Sequence, residues 1–160
     1  MTKYAKNKQN ITCIFPDDNI SGEWQEISKE EFNKINSKTI EELKEEKRAE
    51  INQARDEAEQ GGFEYMGKVF DSDQVSCIRM MGASQSLANA PAETTITWTC
   101  QDNSTIDLNG TQFAGLVVAL ATHSNTCHQK AAELKAQIEK ATSAEELEKI
   151  TWDDKPSTML

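Results

Sequence analysis

No apolar run in this sequence is longer than FAGLVVALA, from Phe113 to Ala121. A helix needs about 20 such residues to cross a hydrocarbon core, so no membrane span is expected. The first ten residues, MTKYAKNKQN, hold no apolar segment and do not read as a signal peptide, which points to synthesis in the cytosol. Positive charge is scarce too. Lys and Arg number 17 against 27 Asp and Glu, a formal net charge of -10. That field repels a phosphate backbone and an anionic bilayer, and no Lys/Arg stripe offsets it, so neither nucleic acid nor membrane is expected as a partner. The acid excess suits solubility or a basic partner. Aromatics are only 6% of the 160 residues, enough for a lean core in one domain, or one domain with a small appendage.

Paired cysteines are missing. Cys13, Cys77, Cys100 and Cys127 are widely spaced with no CxxC, and read as free thiols in a reducing compartment. His123, Cys127 and His128 fall within two turns of one expected helix, but a zinc site needs further ligands that paired spacing usually announces. Neither metal nor cofactor is expected. There is no GxxxxGK, HExxH or GxSxG. Asp71-Ser72-Asp73 lacks the ligand positions of a calcium loop and reads as helix capping. No catalytic residue is assigned, and an enzyme is not expected.

What the sequence does contain is a series of well-punctuated elements. Residues 2–15 read as a hairpin turning at NKQN, EWQEI as a further strand, and Ser28 with Glu31 as a capping box before a short helix. Ser37 or Thr39 opens a long helix whose thin stripe is Ile40, Leu43, Ile51, Ala54 and Ala58, and Gly61-Gly62 ends it. Phe63 to Phe70 is a hairpin turning at Met66-Gly67, with Gly67 supplying the positive φ. Asp71 or Ser72 caps the next helix, along which Val75, Ile78, Met81 and Leu87 form an approximate helical stripe. Two strands follow, residues 94–100 and 104–108, with Thr alternating against Ile96, Trp98 and Cys100. Asn109 with Gln112 is a second capping signal.

The helix after it carries the longest pattern. Phe113, Val117, Leu120, Ser124, Cys127, Ala131, Leu134, Ile138 and Ala141 step by four and three, a coiled-coil seam over about four heptads and about 50 Å. Its first half is apolar nearly all round and should be buried. Its second half is polar outside the seam and should project or pair with another helix. Thr142 or Ser143 then caps a short final helix. The fold class is α+β: a small, mostly β N-terminal module over 1–36, a helical and hairpin domain over 37–152 with two short hairpins and the heptad helix, and a tail over 153–160.

The hairpin bearing Phe63, Tyr65, Val69 and Phe70 cannot bury its apolar face alone. It is either a joint that donates aromatics to the core or a contact site. The candidate interaction residues are Phe63, Tyr65, Phe70, Trp98, Leu134 and Ile138. The last two lie on the part of the seam for which the domain offers least cover.

The ordered set Phe63, Tyr65, Gly67, Phe70, Asp71, Ser72, Asp73, Trp98, Asp102, Asn103 and Trp152 resembles a family of tailed-bacteriophage domains of unknown function. These domains are found at the C-termini of tail-fibre-associated and tail-fibre-assembly proteins. The resemblance runs from about Glu46 to Trp152 and does not cover residues 1–36. At the helix after Asp73 the family is Ala-rich, whereas CIRMMGASQS here is bulkier. The resemblance implies a non-enzymatic virion component of a phage tail, fibre-associated or fibre-attaching, working through contacts with tail or fibre proteins and as a homo-oligomer, a trimer by analogy with fibre symmetry. A fibre-assembly chaperone absent from the virion is the alternative. The family supplies no active-site residue to carry over.

Overall fold

The computed structural model describes residues 2–16, 20 and 22–153. The fold is α+β. Its two compact units are Met1–Leu43 and Lys44–Leu160. The division therefore falls inside a helix, seven residues after the 36/37 boundary suggested by composition. Of the tail at 153–160, only Asp153 lies among the described residues.

In the first unit, β1 (Lys3–Lys6), β2 (Thr12–Phe15) and β3 (Gln25–Ile27) form an antiparallel sheet in the order β2-β1-β3. The turn between β1 and β2 closes on Asn7, whose side-chain oxygen accepts from the N–H groups of Gln9 and Ile11. Helix α1 (Lys29–Asn36) starts at Ser28, whose hydroxyl accepts from the Glu31 N–H at 3.0 Å. The Glu31 carboxylate pairs with Lys6 at 2.6 Å, and the Tyr4 ring packs on Phe32 at 4.8 Å. Among the described residues of this unit, Ala5 and Ile27 are the buried apolar ones.

Helix α2 (Ile40–Gln60) opens on Thr39. The Thr39 hydroxyl accepts from the Glu42 N–H, and the Glu42 carboxylate accepts from the Thr39 N–H, a reciprocal cap. At its other end, Gly62 takes φ +101°. The Ser72 hydroxyl closes this end from across the chain: it donates to the Glu59 carbonyl at 2.5 Å and accepts from the Gly62 N–H at 2.9 Å.

Strands β4 (Phe63–Tyr65) and β5 (Lys68–Phe70) pair Phe63 with Phe70 and Tyr65 with Lys68. This leaves a two-residue turn in which Met66 (φ 49°) as well as Gly67 (φ 74°) is left-handed. Helix α3 (Gln74–Ala88) follows. Its cap is Asp73, which accepts from the N–H groups of Val75 and Ser76, and not Asp71 or Ser72 as expected. The Ser72 hydroxyl is already committed to the end of α2. Strands β6 (Thr95–Thr99) and β7 (Thr105–Asn109) pair next, with Trp98 opposite Ile106. Asn109 and Gln112 form a full capping box at the head of α4 (Gly110–Lys140), which is about 46 Å long at 1.5 Å per residue. Helix α5 (Ala144–Glu148), capped by Ser143, ends the described chain's regular structure.

One core joins both hairpins to α3 and the first half of α4: Phe63, Phe70, Met80, Leu87, Cys100, Leu108, Phe113 and Leu116. The second half of α4 does not project. Lys44 donates to the Glu139 carbonyl at 3.0 Å, Arg48 pairs with the Glu139 carboxylate, and at the far end Ser124 and His128 reach Glu59. These partners set α2 and α4 antiparallel. Ile51 of α2 and Ala131 and Leu134 of α4 are buried. The chain after α4 adds further cover. Ala141, Leu147 and Ile150 are buried, and the Lys130 ammonium sits 4.9 Å from the Trp152 ring centre. Leu134 is 6% exposed and Ile138 0%. The expectation that these two lack cover is thus overturned: a partner helix exists, and it is α2 of the same chain.

Candidate interaction surface

Four of the six residues singled out from the sequence belong to the interior. Phe63 and Phe70 face each other across the hairpin at 5.8 Å and are buried with Leu134 and Ile138. Tyr65 is half-buried. Its hydroxyl donates to the Gln112 carbonyl at 2.9 Å, over Gly115 of α4. The structure therefore places the hairpin as a joint: Gly62 and Ser72 stop α2, Met66-Gly67 turn the chain, and the aromatics enter the core.

Trp98, like Tyr65, is only partly buried. It stands edge-on to Phe113 at 5.3 Å and 76°. Its outer part lines an open groove with Asp71, Ser76, Arg79, Gln101 and Asn103. Gln101 of this groove is anchored to neighbouring backbone. The Gln101 N–H donates to the Val69 carbonyl at 2.9 Å and its side-chain amide to the Gly61 carbonyl at 3.1 Å. Lys68 donates to the Ser104 hydroxyl at 2.8 Å. Asp102 accepts from the Ser104 hydroxyl and N–H, and these bonds hold its carboxyl below the usual carboxylate range. Asp73 is lowered in the same way, first by the Ser76 hydroxyl and then by the N–H groups it caps.

The apolar stripe read along α3 divides between solvent and core: Val75, Ile78 and Met81 are 55%, 63% and 63% exposed, and Leu87 is buried. The side of α3 that is buried carries Met80 and Leu87, with Ala83 packed partly against the same core. Both sets have helical spacing, so periodicity alone could not rank them. Arg79 neighbours both Ile78 and Met80 in the chain, so its charge does not separate the two faces either. Gly82 lies on this same helix, exposed, and a side chain there would meet nothing within 4 Å.

The nucleophilic and ligating groups are engaged elsewhere. His123 Nε2 contacts the Ala58 and Glu59 carbonyls at 3.1 and 3.2 Å, completing the end of α2. Burial pushes the Cys77 and Cys127 thiols up, which keeps them protonated and unreactive at neutral pH. Among the described residues, no group of three or more His, Cys, Asp or Glu could hold a metal ion, and no helix is long and apolar enough to cross a membrane.

A family model described as a domain of unknown function, DUF4376, matches residues 42–152, and the chain belongs to that family. No curated protein and no solved structure matches the chain.

Proposed function

We propose that this DUF4376 member is a non-enzymatic structural component of a bacteriophage tail, a fibre-associated or fibre-attaching protein that works through protein–protein contacts in the virion and self-associates. The tail setting is supported by the resemblance carried by Phe63, Tyr65, Phe70, Trp98 and the residues around them. The contact role is supported by one observation above the others: α3 turns Val75, Ile78 and Met81 to solvent while its opposite side enters the core. Contiguous apolar surface on a soluble protein marks an interaction site more often than an accident of composition. The family resembled is Ala-rich at this helix; of the bulkier residues here, Met80 enters the core and Ile78 and Met81 stay outside it.

Mass spectrometry of purified particles tests the reading. A virion component is found there in stoichiometric amount. Absence from the particle, together with capture of fibre subunits during assembly, would transfer the role to the chaperone alternative. Absence from the particle with no fibre contact at all would remove both.

A further inference from the structure

We infer that α3 is the surface through which two copies of this chain associate, crossing antiparallel about a two-fold axis at Ile78. The inference rests on the reading of α3 as a contact face and does not need the tail assignment. Three observations carry it.

The first is self-complementarity. A two-fold interface requires that residue i meet residue j while j meets i. Val75 and Met81 lie three residues to either side of Ile78, and all three are more than half exposed. An antiparallel crossing at Ile78 thus sets Val75 of each copy against Met81 of the other, and Ile78 against Ile78. No other helix of the described residues exposes large apolar side chains at this spacing.

The second is charge. The chain carries a net charge of -10, so most approaches of a second copy set carboxylates against carboxylates. Helix α3, QVSCIRMMGASQSLA, has no acidic residue, and its one charge is the exposed Arg79. Facing α3 to α3 keeps carboxylates out of the contact, with one Arg79 from each copy at its edge.

The third is Gly82. A glycine inside an exposed helix weakens it, and nothing within the chain needs the space, since an added side chain would touch no atom within 4 Å. Its position one turn after Ile78 suits the close approach of a second helix.

Light scattering and disulfide trapping test this together. The full chain should show a concentration-dependent dimer. Ile78→Glu should shift it to monomer while its thermal melt and helicity stay as in the parent, because Ile78 is not part of the core. In a Cys13→Ala, Cys77→Ala background, Ile78→Cys should give a cross-linked dimer on mild oxidation. Val118→Cys, equally exposed on α4, should not. A wild type that stays monomeric at high concentration overturns the inference, and so does a dimer that survives Ile78→Glu or is trapped through Val118→Cys. Each of these failures leaves the tail reading standing, since particle composition is measured separately.

Discussion

The Tyr65 hydroxyl lies over the backbone of Gly115, in the space that a β-carbon there would occupy, and donates to the Gln112 carbonyl at 2.9 Å. One glycine thus lets the first hairpin dock onto α4. Gly115→Ala gains helix propensity worth about 1 kcal/mol but forces Tyr65 out, at about 1–3 kcal/mol for overpacking. The expected result is a net loss of stability in urea denaturation. Tyr65→Phe removes the nearest atom, so the alanine should cost less in that background. A fully additive double variant would show that the two positions are not coupled.

The turn of the same hairpin offers a gain. Met66 sits at φ 49° with half its surface exposed, a conformation that disfavours methionine and suits asparagine. Met66→Asn should raise the melting temperature, with a stabilisation of about 0.5–1 kcal/mol. Gly67, at φ 74° with open space around it, should respond oppositely. Gly67→Val should destabilise through backbone strain alone. Equal melts for the two variants would contradict the assigned turn.

Burial decides how the aromatic and seam positions respond. Phe70 and Ile138 are fully enclosed. Phe70→Ala should cost about 3–5 kcal/mol and Ile138→Ala about 2–5 kcal/mol. Leu134→Glu with Ile138→Glu should unfold the second unit, not merely dissociate an oligomer, because both carboxylates would enter the α2–α4 contact. Retained far-ultraviolet dichroism in that double variant would show that the seam is solvent-accessible after all.

Acid should destabilise the domain through its capping carboxylates. Asp73 and Asp102 are both held below their ordinary range by serine and backbone donors. A carboxylate with a lowered folded value contributes its stability above the unfolded value, near 4, and loses it as pH falls through the folded value. Urea midpoints should therefore be flat around neutrality and decline below about pH 4. The decline should be shallower in Asp102→Asn. A midpoint unchanged down to pH 3 would exclude the mechanism.

Local signals were legible because they act over a few residues. Ser28, Asn109 and Ser143 cap the helices they were expected to cap, since a side chain that accepts from an N–H two or three residues on needs no distant partner. The hairpin at Met66-Gly67, the Thr/apolar alternation of β6 and the α+β class follow from the same short range. Three matters were settled only by packing. Ser72 carries a capping residue type, yet the end of α2, thirteen residues back, claims its hydroxyl, and the cap moves to Asp73. Two apolar stripes run along α3, and the hairpins and α4 cover only the one with Met80 and Leu87. The heptad seam of α4 specifies that a helix must cover it, but not whose. Hydrophobic periodicity encodes the need for burial, whereas the identity of the covering surface depends on contacts far apart in the chain. That is why the seam, which looked like an invitation to another molecule, is filled by α2, while the face left open belongs to α3.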